Sequence, residues 1–93
     1  MERVQVRYEG RVQGVGFRIT THEIAGKFAV AGQVRNRIDG SVEMIAEGAS
    51  EELVAFLRAV SARFSRNIVN KTEDWRTIEQ SSHQSFDIAP TSD

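Results

Sequence analysis

The sequence predicts an α+β fold, an α/β sandwich in which two helices cover one face of an antiparallel β-sheet. Residues 1–10 alternate polar and apolar side chains, which is typical of a half-buried strand. The pair Asp39-Gly40 lies between two further alternating segments and predicts a tight hairpin turn. Apolar residues at helical spacing then run through 53–64. Strands and helices that each have one apolar face favour a sheet with helices packed on one side.

The N-terminal part of the chain predicts a strand, a loop and a helix. The apolar positions of the strand are Val4, Val6 and Tyr8. A loop with glycines at 10, 14 and 16 follows. A helical pattern extends from about Phe17 to Val30, because apolar residues recur four positions apart. Gly26 weakens this helix, and Gly32 suits its end.

The middle of the chain predicts a hairpin followed by the clearest helix. Residues 33–47 form the hairpin around Asp39-Gly40, with Asn36 on one of its strands. Ser50 is placed to cap the helix that follows. The apolar stripe of that helix consists of Leu53, Phe56, Leu57, Val60 and Phe64.

The signal weakens after residue 64. Ile68 and Val69 suggest a strand, a turn or loop is expected at 73–74, and Phe86 and Ile88 indicate a final strand. The order β-α-β-β-α-β is that of two split crossover units, the ferredoxin-like arrangement. We therefore expect residues 1–93 to form a single domain with a core over about 3–89, and residues 90–93 to be frayed.

Composition excludes several classes of protein. Cysteine is absent, which excludes disulfide scaffolds, cysteine zinc sites and thiol nucleophiles. No stretch reaches the roughly 18 apolar residues of a membrane span, and the N-terminus lacks the apolar run of a signal peptide. The net charge of −1 favours neither nucleic acid nor membrane as a partner. We expect a cytoplasmic, monomeric protein.

The distribution of charge is more informative than its sum. Residues 1–37 contain seven basic and three acidic side chains, so this third of the chain is net +4 and the remainder is net −5. Ten of the 12 basic residues are arginine, whose planar guanidinium suits carboxylate and phosphate. A local anion site in the first third fits this distribution, and so does an ordinary solvated surface.

The glycine loop between the first strand and the first helix could bind an anion. Glycines allow successive N–H groups to converge, and the helix that follows adds its own free N–H groups and dipole. Arg18, at the junction of loop and helix, could add a bidentate contact to phosphate. Spacing alone does not distinguish this site from a tight connection. It matches neither the phosphate loop of nucleotide hydrolases nor the dinucleotide fingerprint.

The segment Gly10-Arg11-Val12-Gln13-Gly14-Val15-Gly16-Phe17-Arg18 resembles the signature loop of acylphosphatases, Gly-x-Val-Gln-Gly-Val-x-Phe-Arg, at all seven fixed positions. The stretch from Gly32 to Glu43 resembles the second signature of that family, Gly-x-Val-x-Asn…Gly-x-Val. The two motifs occur in the expected order and spacing, and the resemblance covers residues 3–88.

This resemblance implies an enzyme that hydrolyses the carboxyl–phosphate bond of small acyl phosphates. It implies that Arg18 binds the phosphoryl oxygens and that Asn36 places the attacking water. The backbone amides that would line the cradle belong to Gln13, Gly14, Val15, Gly16, Phe17 and Arg18. No metal, cofactor or covalent intermediate is expected, and phosphate or sulfate should be able to occupy the site.

The chain departs from the family pattern at two positions. Gln33 stands where many relatives have Trp, so a packing contact at the rim is expected to differ. Arg37 follows Asn36 where some relatives have Thr, and it could add charge near the pocket. Residues 65–82 match the family only loosely.

Other polar and aromatic residues favour structural interpretations. His22 and His83 are expected at the surface, since no spacing joins them as metal ligands. Trp75 is expected to be a core or edge aromatic, as is Tyr8. The acidic residues that follow the hairpin turn are expected to be solvated, and these are Asp39, Glu43 and Glu47.

The sequence also permits two alternatives to an acylphosphatase. The first is an RNA-binding module, because residues 13–20 share three positions (Gly14, Gly16 and Phe17) with the longer signature of the RNA recognition motif. The second is an accessory or regulatory anion-binding domain, since similar domains begin larger hydrogenase-maturation proteins. Because the chain ends at Asp93, we expect a free-standing enzyme.

Overall fold

Alternating apolar residues along the strands bury one face of a sheet in the computed structural model, which describes residues 1–92. Within that range the elements are β1 (Glu2–Gly10), α1 (Phe17–Ala25), β2 (Val30–Asn36), β3 (Val42–Gly48), α2 (Ser50–Arg63), β4 (Ile68–Thr77) and β5 (Phe86–Ile88). The strands form one sheet in the order β4-β1-β3-β2-β5. β1 pairs antiparallel with both β3 and β4, and β2 pairs antiparallel with β3. β5 pairs parallel with β2. The predicted ferredoxin-like sandwich is confirmed, with β5 as a parallel edge that makes the sheet mixed.

The core lies between the sheet and the two helices. The predicted apolar stripe of α2 is confirmed, because all five of its members are buried, as are the alternate residues of the first strand. Aromatic rings join the layers: Phe17 of α1 stacks on Phe64 at 4.4 Å between ring centroids and tilts against Tyr8 at 5.0 Å. These contacts anchor the first turn of α1 to both β1 and the end of α2.

Helix α1 is shorter than predicted, because it ends at Ala25 rather than near residue 30. Gly26 follows as the C-terminal cap, and its N–H bonds to the carbonyls of His22 and Glu23. The low helix propensity of glycine ends the helix there, and β2 starts at Val30. Gly32 therefore does not end a helix. It lies within β2, where a Cβ atom would be 1.8 Å from the carbonyl oxygen of Ile45.

Strand β4 is the element that sequence reasoning described least well. The turn or loop expected at Glu73-Asp74 is wrong, because both residues lie inside this strand and pair with Val6 and Gln5 of β1. Every residue of β4 after Ile68 is exposed. Alternation of apolar and polar residues arises when one face of a strand is buried. β4 has no buried face, so its sequence lacks this strand pattern.

The capping and fraying predictions also differ from the structure. Ala49 is the N-cap of α2, and Ser50 is the first residue of the helix, with no side-chain cap. The expected fraying of 90–93 does not hold for Ser92, whose N–H donates to the carbonyl of Asn36 and whose carbonyl accepts from Ile38. Asp93 lies outside the described residues.

Two of the acidic residues expected to be solvated are not. The Glu47 side chain is fully buried, and it accepts hydrogen bonds from Arg3, Ser81 and Ser82. The side chain of Glu43 is 12% exposed and pairs with Arg35 at 2.7 Å and with Arg37 at 3.1 Å. Only Asp39 of the three is well exposed. The face of the sheet away from the helices therefore carries ordered ion pairs.

Candidate active site

The loop between β1 and α1 takes its shape from left-handed glycines. Gly14 and Gly16 have φ angles of 76° and 77°, a region that other residues rarely adopt. Gly16 is the N-cap of α1 and has no side chain to satisfy the first amides of the helix. The first intrahelical bond runs from the N–H of Thr20 to the carbonyl of Gly16. The amides of Phe17, Arg18 and Ile19 therefore remain available to an anion, beside the positive end of the helix dipole.

Arg18 and Asn36 come from different elements and line the same cavity. Arg18 is the second residue of α1 and Asn36 the last residue of β2, and both are half-buried. The cavity has a volume of about 120 Å³, and its lining residues are Val12, Gly14, Gly16, Phe17, Arg18, Ile19 and Asn36. Within residues 1–92, neither Arg18 nor the side chain of Asn36 has a hydrogen-bond or ion-pair partner. A guanidinium and an amide are thus both available at one concave surface.

The backbone of Asn36 is held from both sides. It pairs with Val42 of β3, and its carbonyl accepts from the N–H of Ser92 at 3.1 Å. The next residue, Arg37, donates its N–H to the carbonyl of Ser41 at 2.9 Å across the hairpin. The amide side chain of Asn36 therefore projects from a strand end whose backbone is paired on both sides.

Gln13 has a role that its backbone amide does not explain. Its side-chain Nε2 donates to the carbonyl oxygens of Arg37 at 2.7 Å and of Ser41 at 2.8 Å. Both bonds join the glycine loop to the hairpin that carries Asn36. Gln13 and Val15 do not line the cavity, and Val15 packs against the hydrophobic core. Four of the six residues predicted to form the cradle therefore line the cavity with Asn36, namely Gly14, Gly16, Phe17 and Arg18.

Arg37 is directed toward Glu43. Its Nη1 donates to Glu43 Oε2 at 3.1 Å, and Arg35 donates to the other carboxylate oxygen. Burial alone would raise the pKa of Glu43, but hydrogen bonds from Arg35 and Gln5 and the charges of both arginines outweigh that effect and lower it. The positive charge at position 37 is therefore engaged by a carboxylate of β3. Sequence reasoning missed this pairing, because the partners lie on opposite sides of the hairpin turn.

A larger cavity of about 230 Å³ lies at the hairpin turn, lined in part by Arg7, Asp39 and Ser41. Arg7 and Asp39 form an ion pair at 2.5 Å. Hydrogen bonds from the hydroxyl and the N–H of Ser41, together with Arg7, lower the pKa of Asp39 to about 2. The polar groups of this cavity already bond one another, so its greater volume does not make it the better candidate.

The remaining candidates for chemistry do not assemble into a second site. His22 is exposed on α1, and His83 Nδ1 lies 3.3 Å from Glu47 Oε1. Trp75 is exposed on β4, whereas Tyr8 is buried in the core. Within residues 1–92, no three histidine or acidic side chains are grouped so that they could hold a metal ion. No helix in the same range is long and apolar enough to cross a membrane.

Comparisons with known proteins agree with the resemblance noted in the sequence. The family model described as Acylphosphatase matches residues 4–88. An acylphosphatase from Pseudothermotoga lettingae is 43% identical over 90 residues, which cover 97% of this chain and 100% of that protein. The crystal structure of an acylphosphatase from Bacillus subtilis superposes with a TM-score of 0.83 at 33% identity and covers 96% of this chain and 99% of its own.

A longer protein also contains a similar domain. The crystal structure of HypF from T. kodakarensis matches 96% of this chain with a TM-score of 0.79 and 25% identity. The match covers only 12% of that protein. The same fold therefore occurs both as a short chain and as part of a larger one.

Proposed function

Because the chain belongs to the acylphosphatase family, we propose that it hydrolyses small acyl phosphates to a carboxylate and inorganic phosphate, with Arg18 and Asn36 as its catalytic residues. The relatives that carry the name acylphosphatase support the activity. The observation that best supports the residue assignment is that Arg18 and Asn36, from α1 and β2, line one cavity with Gly14 and Gly16.

The phosphoryl group binds at the start of α1. The amides of the first helical turn and the Arg18 guanidinium surround its oxygens, so donors from backbone and side chain share the negative charge. Phosphoryl transfer depends chiefly on positioning and on stabilisation of that charge. Gly14 contributes because it has no side chain. A Cβ at this position would point into open space, and without it the backbone can approach a ligand closely.

Asn36 orients the attacking water. Its side-chain carbonyl accepts a hydrogen bond from the water, and its NH₂ group can donate a hydrogen bond to a phosphoryl oxygen. The water oxygen forms a bond to phosphorus as the bond from phosphorus to the carboxyl oxygen breaks. The leaving group departs as a carboxylate with the electron pair of that bond, and a proton of the water passes to phosphate or solvent. Orientation of this kind supplies several kcal/mol of rate enhancement.

The side chains and backbone amides of the protein are sufficient for this reaction. A carboxylate is a good leaving group, so no general acid has to protonate it. The proposal therefore requires no cofactor and no covalent enzyme intermediate. Inorganic phosphate, a product, and sulfate, which has the same shape, should compete for the cavity. We further propose that the enzyme acts as a monomer in the cytoplasm.

An RNA-binding function fits the geometry less well. The aromatic residue that resembles the RNA recognition motif is Phe17, which is 2% exposed and packs between Tyr8 and Phe64. A ring buried in this way cannot stack on a base. A regulatory anion-binding domain would use the same cavity without turnover, so only an activity measurement separates it from an enzyme.

The decisive experiment measures phosphate release from benzoyl phosphate and from p-nitrophenyl phosphate, a phosphate monoester. The proposal predicts rapid hydrolysis of the first and little of the second, because only the first has an activated carboxylate leaving group. Phosphate binding without hydrolysis of either compound would favour the regulatory alternative. Added EDTA should leave the rate unchanged, and a strong EDTA effect would contradict the mechanism.

A further inference from the structure

We infer that Ile19 forms an apolar rim on the phosphoryl cavity and makes the enzyme prefer acyl phosphates whose acyl group is apolar, either aromatic or branched aliphatic. This inference rests on the proposed function and narrows its substrate class. It concerns the half of the substrate that neither Arg18 nor Asn36 contacts.

Ile19 is an apolar residue that both lines the cavity and is well exposed to solvent. It directly follows Arg18 and lines the same cavity as Asn36. Ile19 is 62% exposed, whereas Phe17 is 2% exposed and belongs to the core. Val12, the other aliphatic residue of the cavity, is fully buried. Ile19 is therefore the cavity residue that presents a large apolar surface to whatever enters from solvent.

The size of the cavity places the acyl group at this rim. Its volume of about 120 Å³ is well below the roughly 300–1,000 Å³ of sites that enclose a whole organic ligand. Such a space is too small to enclose a phosphoryl group held by Arg18 and the first helical amides together with an aromatic or branched acyl group, so the acyl group projects past the rim. An apolar acyl group that covers Ile19 removes apolar surface from water, which is favourable. A charged acyl group would lose hydration there without gaining a partner.

Isolated exposed apolar residues are common on protein surfaces and usually have no function. Val54 of α2 is also an exposed apolar residue, at 40%, but it lies on the other helix and lines a separate cavity with Leu57 and Trp75. It provides the matched control, because Ile19→Ala and Val54→Ala both shorten an exposed β-branched side chain in a helix and both raise helix propensity.

The test compares kcat/KM for benzoyl phosphate with kcat/KM for acetyl phosphate in each variant. The ratio of the two values, normalised to the wild type, cancels the different intrinsic reactivities of the substrates. We expect Ile19→Ala to lower the benzoyl-to-acetyl ratio by about threefold to tenfold, less than for an enclosed pocket. Ile19→Leu, which restores the apolar surface, should recover most of the ratio, and Val54→Ala should keep it.

Each other outcome contradicts the inference in a recognisable way. The inference is wrong if Ile19→Ala keeps the benzoyl-to-acetyl ratio within twofold of the wild-type value, or if Val54→Ala lowers that ratio by as much as Ile19→Ala does. The proposed function would still stand in both cases, provided that the wild type hydrolyses both substrates. A wild type that hydrolyses neither substrate would remove the proposed function and the inference with it. Circular dichroism verifies the fold, and Ile19→Gln, which keeps the length but adds polarity, should also lower the ratio if Ile19→Ala does not fold.

Discussion

The side chain of Gln13 lies 2.7 Å from the carbonyl oxygen of Arg37, which joins the glycine loop to the residue that follows Asn36. The same Nε2 also donates to the carbonyl of Ser41 at 2.8 Å, so both of its protons bond to the β2–β3 hairpin. The cradle and the amide that is proposed to place water belong to segments far apart in the chain. Gln13 connects them directly and should fix the distance between the bound phosphoryl group and the attacking water.

Gln13→Ala should therefore lower kcat on benzoyl phosphate by about tenfold while it leaves the inhibition constant of inorganic phosphate almost unchanged. The reason is that the loop keeps its own amides but loses its connection to Asn36. The loss of two hydrogen bonds should also reduce the free energy of unfolding by about 1–3 kcal/mol. Steady-state kinetics with phosphate as inhibitor, together with urea denaturation, measures both effects.

Gln5→Ala is the control for this variant, because Gln5 also uses its side-chain Nε2, in a bond to Glu43 on the exposed face of the sheet. It should change neither kcat nor phosphate inhibition. If Gln13→Ala raised the phosphate inhibition constant as much as it lowered kcat, the residue would instead be holding the cradle itself in shape.

Asn36→Ala and Arg18→Ala should affect catalysis differently. Asn36→Ala should lower kcat by about 100-fold with little change in phosphate inhibition, because the water loses its orientation and the cradle stays intact. Arg18→Ala should lower kcat and also weaken phosphate inhibition, since the guanidinium contacts the anion in both states. Near-normal turnover by either variant would remove that residue from the mechanism, and Arg58→Ala, an exposed arginine of α2, serves as control.

Glu47 should make folding stability depend on pH in the acid range. Burial by itself would raise the pKa of this carboxyl, but hydrogen bonds from Ser81 and Ser82 and the contact with Arg3 outweigh burial and hold the pKa well below its ordinary 4.5. The unfolded chain then binds a proton more readily than the folded one. The stabilisation is fully present above about pH 4.5 and is lost as the pH falls below that value.

Glu47→Gln should accordingly reduce the free energy of unfolding by about 2 kcal/mol at pH 7 and by clearly less at pH 3. Urea denaturation at the two pH values measures the difference. Glu79→Gln, an exposed glutamate near the same loop, should behave like the wild type at both. An equal loss at pH 3 and pH 7 would show that the charge of Glu47 is not what stabilises the fold.

Gly32→Ala should be strongly destabilising, by about 3 kcal/mol or more, because the new methyl group would lie 1.8 Å from the carbonyl oxygen of Ile45 in the neighbouring strand. Gly40→Ala isolates the backbone contribution. Gly40 also has a positive φ, 94°, but a Cβ there would meet no other atom within 4 Å. It should cost only about 1–2 kcal/mol. Thermal unfolding of both variants compares them, and equal losses would mean that the close approach to Ile45 is relieved by movement of the strands.

The elements that the sequence predicted correctly are those whose own residues carry the signal. The apolar stripe of α2 and the alternation of apolar and polar residues in β1 each indicate one buried face. The pair Asp39-Gly40 indicates a turn that only certain residues can form. The glycine loop is similar, since the left-handed conformations at Gly14 and Gly16 require glycine locally. The prediction of a turn at Glu73-Asp74 was wrong because β4 is an exposed edge strand, and such a strand has no buried face to impose an alternating pattern on its sequence.

The fold class, the family resemblance and the candidate residues Arg18 and Asn36 could all be inferred from the order of amino acids alone. Which groups meet became visible only in the folded chain: Gln13 contacts the hairpin carbonyls, Glu47 contacts Arg3 and the loop at Ser81-Ser82, and Ile19 lines the cavity. Local periodicity follows from the geometry of one helix or strand, whereas these contacts join residues from distant parts of the chain. Their geometry depends on how the layers pack, and no short stretch of sequence contains that information.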